Sequence, residues 1–450
     1  LESRSSHPPP VVIPRSEHNL SRANISPNAL KVLYRLHEAG YRACLVGGGI
    51  RDLLLGREPK DFDVVTDARP EQVYKLFRNC RLIGRRFRLA HVQFGSEIVE
   101  VATFRARGVD GEDGDGPSVE RAEDGRILSD NVYGSIEDDA WRRDFTVNAL
   151  YYDIANFAVL DYVGGMADLR AGLIRLIGNP AQHYHEDPVR LLRAARFAAK
   201  LGFRFDPATE APLHRLGHLL EKIPPARLFD EILKLFLGGC AVQTFELLRH
   251  YRLFGWLFPA TECCLNHQQQ HYPKTLLVRA LANTDHRIAE GKSVHPAFLF
   301  AALLWEPLRE QMRHLEAEGL DPHEALQAAA ERVVQAQIRH TALPRRYSLP
   351  MREIWESQLR LTITTGKRPL RLLEHPRFRA GYDFLLLRAE TDKEAAELAD
   401  WWTRFMAMDA AGRAQATQPA AKARKGKPRR RRKSRSAHKG DQATQPAPEV

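Results

Sequence analysis

The sequence predicts an α+β protein: a small mixed β-sheet head with helices, an all-α neck and body, and a disordered basic tail. Three observations carry that prediction. Between Ala43 and Thr66 the chain reads strand, triple-glycine turn, short helix, strand. Short segments of β-forming residues continue to Thr103, whereas from Pro207 to about Met408 the apolar spacing is helical. Residues 421–440 then hold eleven Lys or Arg and no acid. A chain of 450 residues should form roughly two to four domains. The expected divisions are an unstructured segment over 1–20, the head over 21–162, a helical neck over 163–260, a helical body over 261–410 and the tail over 411–450.

Each element has a local cause. Ser26-Pro27 opens a helix with an N-cap and a proline at its first position, and Gly40 closes it. Ala43–Val46 is a strand, Gly47, Gly48 and Gly49 a turn, and a second strand is expected to begin at Asp61. Pro70 to Phe77 reads as a short helix, followed by strands near Arg81–Ile83, Ala90–Phe94 and Ile98–Thr103. Residues 108–134 are polar, acidic and glycine-rich; they lack the register and closing Glu of an EF-hand and read as a mobile loop. Ser135 and Asp138 form a capping box that should start a helix through Leu150. A hairpin over Phe157–Tyr162 precedes the helical half. There Asp187 is expected to cap a helix with Pro188 at its first position, which sets Arg190, Arg193 and Arg196 along one stripe.

Composition excludes several classes. The longest clean apolar stretch, Ala297 to Trp305, is half of what a membrane span needs, and the N-terminal residues carry no apolar signal core. Five cysteines without framework spacing fit a reducing compartment, and Cys263-Cys264 read as core thiols. The net charge is +11, and removing the eleven tail cations leaves the rest neutral. Basicity therefore resides in the tail, where Arg429, Arg430, Arg431, Arg432 and Lys433 suit non-specific capture of a polyanion through its phosphates.

The chemistry gathers on residues 44–66. Three glycines before Ile50-Arg51-Asp52 leave backbone N–H groups open to a phosphate. Asp61 and Asp63 lie two apart in an extended segment, so both carboxylates leave one face, where a divalent cation would relieve their repulsion. A dinucleotide fingerprint fails because Asp52 stands where its third glycine belongs, and no Walker-type motif occurs. In the strand over Ile98–Thr103, Glu100 is a lone carboxylate among β-formers.

The run GGGIRDLLLG, followed by Lys60 and Asp61-Phe62-Asp63, resembles the polymerase-β-like nucleotidyltransferases, and more narrowly the class holding bacterial poly(A) polymerases and the tRNA CCA-adding enzymes. Arg142-Arg143-Asp144 and Glu186-Asp187-Pro188-Val189-Arg190 resume the likeness over roughly residues 20–260. The resemblance implies two Mg²⁺, with Mn²⁺ as a substitute, held by Asp61, Asp63 and Glu100, with Asp144 among the essential carboxylates. It assigns the ATP triphosphate to Gly47, Gly48 and Arg51, the triphosphate or ribose to Arg142 and Arg143, and the base to Asp187 and Arg190, with Arg193 and Arg196 beside them. A carboxylate that accepts and a guanidinium that donates match adenine or cytosine and leave guanine or uracil mispaired. That pair does not separate A from C.

The expected reaction is template-independent transfer of AMP from ATP to an RNA 3′-hydroxyl. Poly(A) polymerase is favoured over CCA addition by the form of Ile83–Val92, the basic tail and the N-terminal extension. A non-catalytic RNA-binding protein is the reading from another class. The body is expected to contact RNA. The protein is expected to act as a monomer in the bacterial cytoplasm, with RNA-decay proteins as candidate partners.

Overall fold

A computed structural model describes residues 8–84, 88–106, 120–121, 127–129, 132–267 and 276–418. The expected loop over 108–134 lies mostly outside these residues, as do the tail cations Arg429 to Lys433.

The head begins with β1 (Val11–Ile13), α1 (Pro27–Glu38), β2 (Ala43–Val46), α2 (Gly48–Leu54), β3 (Asp63–Thr66) and α3 (Pro70–Leu76). Next come β4 (Cys80–Ile83), β5 (Leu89–Phe94), β6 (Glu97–Thr103), a small hairpin of β7 (Glu120–Arg121) and β8 (Ile127–Ser129), α4 (Ile136–Trp141), β9 (Leu150–Asp153) and β10 (Val159–Asp161). Eight strands form one mixed sheet in the order β1-β10-β9-β2-β3-β6-β5-β4, in which only β3 and β6 run parallel. Along β6, Val99, Val101 and Thr103 are buried, while Ile98 and Glu100 are exposed. Alternation therefore gives this half of the sheet a core face and an open face. The neck follows as α5 (Gly165–Ala171), α6 (Pro180–Glu186), α7 (Val189–Leu201), α8 (Pro207–Glu210) and α9 (Pro225–Phe236). The chain stays helical from there to Ala416.

One apolar core runs from Ile13 in the head through Leu192 of α7 and Ile232 of α9 to Phe384. A second, smaller cluster around Val46, Val65 and Tyr151 lies in the head, and a third, over Leu361 to Phe405, holds the last helices together and buries Trp402, whose indole N–H donates to the Leu361 carbonyl at 2.8 Å. Among the described residues no helix is long and apolar enough to cross a membrane.

The α+β class and most elements match the sequence expectation; five local differences have physical reasons. The second strand starts at Asp63, not Asp61, because β2 ends where Gly47 turns, and Val46 is the last residue to pair with it. The first twenty residues are not uniformly unstructured: Val11–Ile13 pairs antiparallel with β10 and covers a sheet edge, and Ile13 and Leu20 are buried. The helix from Ser135 ends at Trp141, since Asp144 accepts the Phe145 N–H at 2.8 Å and the following Leu-Tyr-Tyr-Asp joins the sheet as β9. Asp187 lies between α6 and α7, which starts at Val189, although its carboxylate still accepts the Val189 N–H at 3.4 Å. Helical order extends past 411 to Ala416, and Thr417 is buried with its carbonyl accepting the Gly366 N–H at 2.7 Å.

Candidate active site

The glycine turn, the head of β3 and the loop after α4 converge. Gly47 has φ 79°, a conformation L side chains rarely adopt. A Cβ there would lie 3.4 Å from an Asp63 carboxylate oxygen and 4.0 Å from Arg143 Nη1. The turn therefore leaves open the space into which an acid and a guanidinium both point.

Register supplies the second carboxylate. Asp63 stands opposite Glu100 across the parallel β3–β6 pair, and Glu100 in turn opposite His91, whose Nε2 is 3.3 Å from its carboxylate. Burial, then Glu100, then Asp61 push the Asp63 carboxyl up to about 6, against the pull of Arg143. This cluster has more negative charge than its one guanidinium offsets. Among the described residues no three His, Cys, Asp or Glu side chains are already gathered at metal-holding spacing. All-oxygen donors with excess negative charge fit a hard divalent cation that keeps part of its water shell.

Arg143 is tightly held. It donates to Asp139 at 3.0 and 2.9 Å and to the Tyr151 hydroxyl at 2.8 Å. Burial opposes its charge, but Asp139 and Tyr151 raise its pKa above the ordinary arginine value. Arg142 contributes its carbonyl, which accepts from Arg190 at 3.2 Å.

Asp144 does not face the Asp63 cluster through any recorded contact. It is buried, pairs with Arg193 Nε at 2.7 Å and accepts from Asn148 at 3.2 Å. Burial would raise its pKa, yet Arg193 and the hydrogen bonds hold it down at about 2. Asn148 accepts from Arg51 at 2.6 Å, Arg51 donates to Asp52 at 2.8 Å, and Lys200 of α7 reaches Asp52 at 3.1 Å. A chain of buried polar contacts thus ties the head to α7 at two points. Arg51, expected at the triphosphate, is 1% exposed and lies inside this chain; a Cβ on Gly48 would sit 3.5 Å from its Nη2.

The expected base-reading residues sit where α6 meets α7. Asp187 accepts from Arg227 of α9 at 2.8 Å, and Arg190 donates to the carbonyls of His183 and Arg142 at 3.1 and 3.2 Å. Arg196 lies 4.5 Å over the Phe197 ring with its buried Nε unpartnered. Burial and the nearby Arg193 guanidinium lower its pKa. Sequence reasoning missed Asp139, Asn148, Tyr151 and Arg227. Of these, Asp139 lies four residues before Arg143 and Asn148 four after Asp144; Tyr151 and Arg227 are joined to their partners by tertiary structure.

Residues 43–175 match the poly A polymerase head domain, 202–265 the "Probable RNA and SrmB- binding site of polymerase A", and 318–436 the polymerase A arginine-rich C-terminus. The chain is 53% identical over 407 residues to poly(A) polymerase I of Escherichia coli O6:H1, covering 90% of this chain and 87% of that one. It is 47% identical over 435 residues to poly(A) polymerase I of Haemophilus influenzae, covering 95% and 96%. A CCA-adding enzyme of Lactobacillus helveticus is 36% identical over 219 residues, 49% of this chain and 52% of that enzyme. A solved Bacillus stearothermophilus CCA-adding enzyme in complex with CTP shares the fold, with TM-score 0.57 and 24% identity over 84% of this chain and 82% of that one. From these matches, together with the glycine turn set against paired carboxylates, the chain belongs to the poly(A) polymerase I family of nucleotidyltransferases.

Proposed function

We infer that the protein adds AMP from ATP to RNA 3′ ends without a template. In the step, the RNA 3′-oxygen bonds to the α-phosphorus, the bond from that phosphorus to the bridging oxygen breaks, and pyrophosphate leaves as the hydroxyl proton is lost. The observation that carries this reading is the pairing of Asp63 with Glu100 beside the open side of the Gly47 turn.

Asp61, Asp63 and Glu100 would hold divalent metal, with Mg²⁺ the first choice and Mn²⁺ a substitute. Bound there, it would supply charge stabilisation to the attacking and leaving oxygens. Gly47 and Gly48 keep side chains out of the triphosphate's path, and Arg143 presents a fixed cation to it. Arg142 is assigned to the nucleotide by the family resemblance, while Arg51 shapes the turn from beneath. Asp187 and Arg190 read the base, and their held positions exclude guanine and uracil by mispairing. Asp144 serves indirectly by fixing Arg193, and Arg196 adds an uncommitted cation to the cleft. The setting is the bacterial cytoplasm, where RNA, ATP and magnesium meet, and the protein acts as a monomer.

Primer extension of a short unstructured RNA with Mg²⁺ and each nucleoside triphosphate singly tests this. Long ladders with ATP alone are expected, and Asp61→Asn should abolish them while leaving RNA binding intact. Addition that halts after two C and one A on tRNA-like ends would instead mark CCA addition.

A further inference from the structure

The register around Asp63 extends beyond the metal-binding carboxylates. Asp63 pairs with Glu100, Glu100 with His91, and His91 with Arg81, so one row of side chains crosses β3, β6, β5 and β4 on a single face. The contact between His91 and Glu100 confirms the shared face. Charge changes sign along this row, from two carboxylates through an imidazole to an exposed guanidinium at the sheet edge. The opposite face is closed by Val92, Val99 and Val101 against α1 and α3. Among the described residues nothing closes the open face: Ile83 and Ile98 are each 47% exposed, and Arg81 is exposed and forms no hydrogen bond or ion pair there.

The chemistry gives this face a direction. The Gly47 turn and Arg143 lie on the β2 side of Asp63 and take the triphosphate in the reading above. An in-line displacement places the attacking oxygen opposite the leaving pyrophosphate. The RNA 3′-hydroxyl must then approach from the Glu100 side, and the nucleotides behind it must leave over β5 and β4. Neighbouring strands are about 4.8 Å apart, so Arg81 lies two strands, about 10 Å, from Glu100. That separation suits a phosphate one or two nucleotides behind the 3′ end.

We propose that the open face of β4, β5 and β6 is the seat of the RNA 3′-terminal segment, with Arg81 contacting a backbone phosphate and Ile98 and Ile83 supporting the ribose or base. His91 is a positioning residue that holds Glu100 in place and spaces it from Arg81. The proposal rests on the polyadenylation reading and adds to it where the acceptor lies.

The test uses the full chain with a fluorescent oligo(A) primer. Binding to metal-free protein is measured across salt concentrations, and extension is measured with Mg²⁺ and ATP. Arg81→Glu should weaken primer binding about tenfold and raise the KM for primer, with kcat and the KM for ATP unchanged. Arg81→Ala should lower the salt slope by about one phosphate contact, and Arg81→Lys should restore it. A wild type that extends RNA, with Arg81→Glu leaving primer affinity and salt slope unchanged, overturns the platform and leaves the activity standing. A wild type that extends no RNA sinks the activity itself.

Discussion

At the scale of single residues, the fold shifts two carboxyl groups in opposite directions. Asp144, held by Arg193, stays ionised down to about pH 2, whereas Asp63 is pushed up to about 6 by burial and its acidic neighbours. Because the folded-state pKa of Asp63 is raised, the stability it contributes is full below the ordinary carboxylate range and is lost as pH rises through about 6. Asp63→Asn should therefore raise the melting temperature of metal-free protein at pH 8 and leave it nearly unchanged at pH 4. A thermal melt at the two pH values checks this, and an equal shift at both would count against the like-charge account. Metal and proton compete for the same oxygens, so Mg²⁺ stabilisation should fade as pH drops below about 6. Asp61 and Asp63 were legible in the sequence because two carboxylates in one short run need a reason. Glu100 stood out as a lone carboxylate among β-formers, and its link to the two aspartates came from the resemblance alone. The ion pair of Asp144 was not legible, since its partner Arg193 lies forty-nine residues on and only folding brings them together.

At the scale of elements, the turn after β10 constrains the loop that carries Arg142, Arg143 and Asp144. A Cβ on Gly165 would fall 2.2 Å from the Thr146 carbonyl oxygen, an impossible contact with backbone. Gly165→Ala should shift the 3₁₀ turn over Thr146–Asn148 and cost about 1–3 kcal/mol, as overpacking of a tight interior does. Urea denaturation reads the loss; because Asn148 links Asp144 to Arg51, activity should fall further than stability alone explains. Periodicity found most strands and helices here, since one buried face imposes its pattern on the sequence. It failed where side-chain hydrogen bonds end an element. The helix from Ser135 looked able to continue, yet Asp144 turns the chain by accepting the next backbone N–H. The edge strand Val11–Ile13 was hidden for another reason: three residues pair through backbone atoms against β10, a contact that composition does not show.

At the scale of the whole molecule, charge is divided between a neutral body and a basic C-terminal run. Removing residues 421–450 should weaken RNA binding and flatten its salt dependence, while extension of a short primer at saturating concentration survives. Fluorescence titration over a salt series measures this; an unchanged slope would show that the body supplies the phosphate contacts. The sequence exposed this division plainly, since charge can be counted. It did not reveal that one core passes from sheet to helices, because that requires knowing which faces meet.

The polar chain through Asp144, Asn148, Arg51 and Asp52 has a consequence for interchange of parts among related enzymes. The head around the glycine turn and helix α7 share two ion pairs: Asp144 with Arg193, and Asp52, which Arg51 also holds, with Lys200. A head transplanted onto a foreign neck lacking the counterparts of Arg193 and Lys200 would carry Asp144 without its cation at the seam and leave Asp52 to Arg51 alone. Nucleotide preference should therefore be inherited by grafts that keep α7 with its own head, and lost, together with solubility, by grafts that cut between them.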